Sequence, residues 1–278
     1  ASVPFYISSR GYGFFWNNPA IGTATFATNK TEWYAKSTKK LDYFITAGDT
    51  PFEIEEQYSA ATGRIPMMPE YGLGFWQCKL RYQTQEELLE VARGYKERGI
   101  PVDVIVSDFF HWPHQGDWKF DEKYWPDPKA MIDELHEMGI KVVVSVWPSV
   151  DKKSENYQEM AARGLLIRTE RGGFQTYDFQ GDCVEIDPTN PETCAFVWEK
   201  CKKTYSDLGV DIFWLDNSEP DFVQYDFDQY RYYLGTALSC SNIYPQYFSR
   251  LFYENELAAG RKNPVNLLRS AWAGSQKY

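Results

Sequence analysis

DPKAMIDELHEMGIKVVVSVW, residues 127–147, holds the fold of this chain in one repeat unit. Asp127 is placed to cap a helix N-terminus, and Pro128 falls at the first helical position, where a missing N–H costs nothing. Met131, Leu135 and Met138 recur at helical spacing, and Gly139 suits the left-handed stop. Lys141 to Trp147 then forms a β-branched, nearly continuous apolar run, as in a strand buried on both faces. The unit recurs on either side. Thr84-Gln85-Glu86-Glu87 has the capping-box pattern, Leu88, Ala92 and Tyr95 form a face, Gly99 ends it, and Val102–Asp108 is the strand. Asn190-Pro191 opens the third copy, with Cys194, Val197, Cys201, Tyr205 and Leu208 on one face, a stop at Gly209 and a strand over Val210–Asp216. Tyr71–Gln77 is expected to supply the strand before the first helix, and Asn266–Ser270 the strand after a helical region at 228–259. The segments 150–189 and 217–230 read as excursions from strand ends, the first hairpin-like around Arg171-Gly172-Gly173.

Helix, glycine and apolar strand in series specify an α/β fold with a parallel sheet covered on both faces. A barrel and an open doubly wound sheet share that pattern. No GxGxxG or GxxxxGK[ST] follows a strand, which removes the nucleotide-binding versions of the open sheet. The expectation is a (β/α)8 TIM-type barrel, incomplete in this chain, with about five βα units. Ahead of it, Val3–Ser8, Gly13–Trp16, Thr23–Ala27 and Leu41–Ala47 read as short strands, and Thr50–Ala61 as a helix closed near Gly63. The prolines of Arg64-Ile65-Pro66-Met67-Met68-Pro69 mark a connector. Residues 1–66 are therefore read as one unit and 67–278 as the barrel part.

The 278 residues carry 29 Lys and Arg against 39 Asp and Glu, a formal net charge of −10. That balance disfavours nucleic acid and anionic membrane as partners. No run approaches the roughly 20 apolar residues of a membrane span, and the first residues show no n-region/h-region pattern. Five cysteines without CxxC spacing suggest buried free thiols in a reducing compartment, hence a cytoplasmic setting. Aromatic content is high, with 10 Trp, 20 Tyr and 18 Phe.

Working residues of a barrel sit at the C-terminal strand ends. Those ends read Trp76-Gln77, Asp108-Phe109-Phe110, Trp147-Pro148, Trp214-Leu215-Asp216 and Arg269-Ser270. Carboxylates, aromatic planes and an arginine at one mouth suit a sugar: rings cover its C–H faces while acids and Arg hold its hydroxyls. Asp216 is the sharpest candidate, because a carboxylate beside an anomeric carbon can attack it. It can equally only cap the loop that follows, and Asp108 carries the same ambiguity. Glu219 and Asp221 lie beyond the strand end and read as loop-bracing groups. His111, His114 and Asp117 are spaced by a proline that prevents helical register, and His136 lies on a helix. Loop contacts are expected from them, and no metal.

These residues resemble glycoside hydrolase family 31. WLDNSEPDF (214–222) is similar to its nucleophile segment, and VPFYISSRGYGFFWNN (3–18) resembles the end of its N-terminal β-sandwich. GFWQCKLRYQTQEEL (74–88), VIVSDFFHW (104–112), YWPDPKAMIDELHEMGIKVVVSVWPSV (124–150) and LLRSAWAGSQKY (267–278) resemble successive barrel segments in order. The resemblance implies a retaining, exo-acting α-glycosidase without cofactor, acting on an oligosaccharide or glycoside. It implies Asp216 as nucleophile, with Asp108, Trp147, Trp214 and Arg269 around the non-reducing-end sugar. Family α-glucosidases usually carry a second carboxylate two residues after the position of Asp108; here Phe110 stands there, which points to the α-xylosidase branch. The family's acid/base aspartate follows the part matching RSAWAGSQKY, so it is expected after Tyr278. A homo-oligomer is compatible with the resemblance.

Overall fold

The structure is a computed structural model that describes residues 3–219 and 227–278. The chain opens with strands β1 (Phe5–Ser8) and β2 (Tyr12–Trp16), then the hairpin β3 (Gly22–Ala27) and β4 (Lys30–Ala35), then β5 (Tyr43–Ala47). β2 lies between β1 and β5 in an antiparallel sheet, while β3 and β4 pair with each other. Strand β4 is absent from the sequence reading: its Lys30-Thr31-Glu32 start is polar and exposed, so no alternation marks it. Helix α1 (Pro51–Thr62) follows with a complete capping box, Thr50 and Glu53 each taking the other's backbone N–H.

The barrel part runs β6 (Trp76–Gln77), α2 (Gln85–Glu97), β7 (Val104–Ser107), α3 (Pro128–Glu137) and β8 (Lys141–Val146). Next come β9 (Ser149–Asp151), α4 (Tyr157–Arg163), β10 (Arg168–Thr169), β11 (Tyr177–Asp178) and β12 (Asp182–Glu185). The chain then returns through α5 (Pro191–Thr204), β13 (Ile212–Leu215), β14 (Tyr230–Arg231), α6 (Ala237–Cys240), α7 (Tyr244–Ala258) and β15 (Asn266–Leu268). The main sheet has the order β15-β13-β8-β7-β6, and every neighbouring pair is parallel. Strand order follows chain order without a reversal. A doubly wound sheet reverses at its switch point, so this arrangement is a barrel arc.

Strand alternation sorts the arc into two faces. Ile105, Val142, Val144, Val146, Phe213 and Leu215 join the large cluster under the helices. Val104, Val106, Val143 and Ile212, with Tyr71, Trp76 and Trp214, form a separate apolar cluster on the concave side. The N-terminal strands are joined to the barrel part through Phe15, Trp272 and Ala273, and through Asn242 on the carbonyls of Pro19 and Ala20.

Several boundaries differ from expectation. Only Trp76–Gln77 of the 71–77 segment is strand; Glu70–Leu73 is a 3-10 turn, because Pro69 and two glycines break extension. The third helix stops at Thr204, and a separate 3-10 turn, Ser206–Leu208, leads to Gly209. The helical region expected at 228–259 comprises α6, a 3-10 turn at Ser241–Ile243 and α7, preceded by the short strand β14. At Thr84 the capping is displaced: Glu87 takes the N–H of Gln83 (2.7 Å), while Thr84 Oγ1 takes that of Glu87 (3.1 Å). Cysteines 183, 201 and 240 are buried, but Cys78 is exposed, since β6 is an edge strand of the arc.

Candidate active site

On each strand the residues of concave parity lead to one side chain at the C-terminal end. Val104 and Val106 lead to Asp108, Val143 and Ser145 to Trp147, and Ile212 and Trp214 to Asp216. Leu267 pairs with Trp214 across β13 and β15, so Arg269 shares their face. The ladder runs past the strands, with the Asp216 N–H on the Val146 carbonyl (3.1 Å) and the Arg269 N–H on that of Leu215 (3.2 Å). These side chains surround a cavity of about 610 Å³, lined by Leu80, Asp108, Phe109, Trp147, Phe179, Trp214, Asp216, Asn217 and Arg269. That volume falls in the range of small-molecule sites.

Asp216 is 6% exposed. Trp147 Nε1–H donates to its Oδ2 at 3.1 Å, and Arg269 Nη1 stands 3.4 Å from its Oδ1. Arg269 also gives its Nε–H to Glu219 Oε1 at 2.8 Å. The carboxylate is thus held from two sides, with its direction fixed by a buried indole and a guanidinium. Asn217 takes a left-handed φ of 51°, and its Nδ2 has no hydrogen-bond partner among the described residues. Ser218 and Ser270 join their hydroxyls at 2.8 Å, tying the ends of β13 and β15 together.

Asp108 is 5% exposed and takes the Phe109 N–H at Oδ1, 2.7 Å. Burial and, less strongly, the charge of Asp216 push its carboxyl up to about 6, against the Phe109 bond and Arg81. Phe110, two residues after Asp108, takes φ 58°, a strained value for a bulky residue. Trp147 stacks on Phe109 at 5.4 Å and 24° and meets Phe179 at 5.5 Å. Gln115 Nε2–H holds the Phe179 carbonyl at 2.5 Å, and β11 pairs with β12 to carry the ring to the mouth.

Asp108, Trp147, Trp214, Asp216 and Arg269 thus surround one cavity. Phe110 does not line it: its ring stands behind Phe109, against Trp112 and Trp147 and under Arg81. The wall at that place is Phe109. Phe179, Leu80 and Asn217 escaped the sequence reading as wall residues, and Phe109 was read at a strand end without a role of its own. Phe109 and Asn217 directly follow the two acids and were within reach of a strand-end rule; Phe179 lies in an excursion that no periodicity marks. Asp221 lies outside the described residues. The three histidines part company: His111 is buried among Trp112, Phe120, Trp125 and Tyr205, His114 gives its N–H to Asp117 Oδ2 (3.0 Å), and His136 pairs with Asp211 (2.8 Å). Among the described residues no three His, Cys, Asp or Glu side chains form a metal-holding group, and no helix is long and apolar enough to cross a membrane.

A parallel βα arc with two buried carboxylates, an arginine and aromatic walls at its strand ends defines a TIM-type barrel with a sugar-sized, largely apolar cavity that carries a few convergent polar groups. The chain belongs to glycosyl hydrolase family 31: a family model described as "Glycosyl hydrolases family 31 TIM-barrel domain" matches residues 65–278. It is 51% identical, over its whole length, to an uncharacterized family 31 glucosidase, ORF2, of Pseudescherichia vulneris, of which it covers 53%. It is 35% identical to an alpha-xylosidase of Saccharolobus solfataricus, over 99% of this chain and 37% of that protein. The crystal structure of a GH31 alpha-xylosidase from a soil metagenome, complexed with xylose, superposes with a TM-score of 0.97 at 59% identity, over 100% of this chain and 41% of that one. The chain spans between about a third and about half the length of these relatives.

Proposed function

We propose that this chain carries the nucleophile half of a retaining, exo-acting α-glycosidase that releases non-reducing-end α-xylose from xylosylated oligosaccharides. The observation that carries the reading is the Asp216 carboxylate, aimed between Trp147 Nε1 and Arg269 in a cavity of sugar size. In this reading Asp216 attacks the anomeric carbon as the glycosidic bond to the leaving oxygen breaks, and a glycosyl ester forms on its carboxylate. A second carboxyl protonates the leaving oxygen, then as base removes a proton from the water that cleaves the ester. That acid/base group is expected in the segment that follows RSAWAGSQKY in the family pattern. Asp108 and Arg269 hold sugar hydroxyls, and Trp147, Phe109 and Trp214 cover the C–H faces.

Xyloside preference is supported by the alpha-xylosidase relatives at 35% and 59% identity, and by the resemblance at Phe110, the position where family α-glucosidases usually carry a carboxylate for the sugar hydroxymethyl group. A site that leaves that hydroxyl unpaired rejects glucose by about 1–3 kcal/mol. The relative named a glucosidase, at 51% identity, favours the second reading, an α-glucosidase on the same cavity. Comparing kcat/KM for aryl α-xyloside and aryl α-glucoside in the intact protein decides between them. A preference for the glucoside sinks the xylosidase reading, and Asp216→Ala retaining more than a few per cent of turnover sinks the nucleophile.

A further inference from the structure

Beneath the mouth, a chain of hydrogen bonds runs from the end of α5 to Asp108. His111 lies three residues after Asp108 and is 1% exposed, enclosed by the rings of Trp112, Phe120, Trp125 and Tyr205. Its Nδ1 is 2.9 Å from the Asp108 carbonyl oxygen, and its Nε2 is 2.7 Å from the Tyr205 hydroxyl. A carbonyl oxygen only accepts, so Nδ1 carries the proton and donates. With the ring neutral, Nε2 is bare and accepts the O–H of Tyr205. Burial supports that state from both sides, pushing His111 down to about 4 and the Tyr205 phenol well above its ordinary range.

The three groups tie two barrel units together. Tyr205 directly follows α5, in the unit that continues into β13 and Asp216. Asp108 ends the unit of β7. Between Asp108 and His111 the backbone turns sharply, with Phe110 at φ 58°. The imidazole bond to the Asp108 carbonyl closes this turn and opposes its relaxation. Rotation of that peptide would swing both the Asp108 carboxylate and the Phe109 N–H that it accepts.

We propose that His111 and Tyr205 are positioning residues for Asp108: Tyr205 fixes the tautomer of His111, and His111 fixes the peptide that aims the Asp108 carboxylate into the cavity. The proposal rests on reading Asp108 as a sugar-holding group. Neither residue lines the cavity, and their hydrogen-bonded route to it runs through Asp108.

A double-mutant cycle in the intact protein, with an aryl α-xyloside, tests this. Tyr205→Phe keeps the ring and removes one oxygen; kcat/KM is expected to fall about five- to tenfold, the size of one buried hydrogen bond. In the Asp108→Ala background the same substitution is expected to cost less than about twofold, because the group it positions is gone. An undiminished cost in that background overturns the proposal, since Tyr205 would then act through general packing. Asp108→Ala costing less than about threefold overturns the reading of Asp108 and the positioning role with it. If Tyr205→Phe yields no folded protein, His111→Asn, whose amide N–H can replace Nδ1–H, and His111→Leu carry the same cycle. Asn is expected to stay within about threefold of the parent while Leu falls at least about tenfold. Equal losses in Asn and Leu overturn the proposal.

Discussion

Replacing Asp108 with Asn is expected to stabilise the protein while damaging its activity. In the fold the carboxyl is pushed from 3.8 to about 6, chiefly by burial and then by Asp216. At about 1.4 kcal/mol per pH unit, ionising Asp108 in the folded state costs about 3 kcal/mol more than in the unfolded chain. The sign follows from proton counting. Below about pH 4 both states hold the proton and no penalty exists; between about 4 and 6 only the folded state holds it, so stability falls as pH rises. Above about 6 the penalty is complete. Asn is neutral throughout and can keep the acceptor for the Phe109 N–H, so the variant escapes the penalty. Thermal unfolding at several pH values should therefore show coincident curves near pH 4. By pH 7 the variant should lead by about 3 kcal/mol, or about 5 °C for a cooperative unit of this size. Over the same range kcat/KM of Asp108→Asn should fall about 10–100-fold, and the acid limb expected of the parent near pH 6 should vanish. A variant no more stable than the parent at pH 7, or a stability gap that ignores pH, would refute the reasoning.

Other perturbations separate the parts of the cavity. Trp147→Phe keeps an aromatic ring against Phe109 but removes the N–H to Asp216, worth about 1.5–3 kcal/mol as a bond to a charged group; kcat/KM should fall about 10–100-fold, and a value within twofold of the parent contradicts that role. Phe110→Asp should move the glucoside-to-xyloside ratio of kcat/KM upward, although Arg81, 5.7 Å from the present ring, competes for the new carboxylate; an unchanged ratio removes this residue from specificity. Gly181→Ala puts a Cβ 2.2 Å from the buried Asp151 Oδ2 at a backbone φ of 156°. It should cost about 1–3 kcal/mol in unfolding free energy and raise KM by shifting the Phe179 wall.

The repeat of cap, helical face, glycine and apolar strand was enough to read the barrel, because each boundary has a local physical cause. Asp127 and Thr84 do cap their helices, and Gly99 and Gly139 do take left-handed conformations just beyond them. Strand β4 was illegible because a two-stranded ribbon with exposed faces imposes no alternation. The 71–77 segment misled because its aromatics fit a strand while Gly72 and Gly74 favour a turn. For the site, the strand-end rule brought Asp108, Trp147, Asp216 and Arg269 to one cavity, since parity along a parallel strand is set by the backbone alone. The same rule cannot see Phe179, whose place depends on Gln115 and on a hairpin long in sequence from β8. The family resemblance, not that rule, set Phe110 beside the sugar. The sharp turn after Asp108 gives that place to Phe109, and a positive φ at a phenylalanine is not foreseeable from residue type.

Trapping the glycosyl ester tests the central claim most directly. A 5-fluoro-α-xylosyl fluoride slows both steps by destabilising the oxocarbenium-like transition state, yet keeps a leaving group good enough for the first. Mass analysis of peptides from the inactivated intact protein should find one fluoroxylosyl group on the peptide containing Asp216, and none after Asp216→Asn. Label on any other carboxylate would contradict the account.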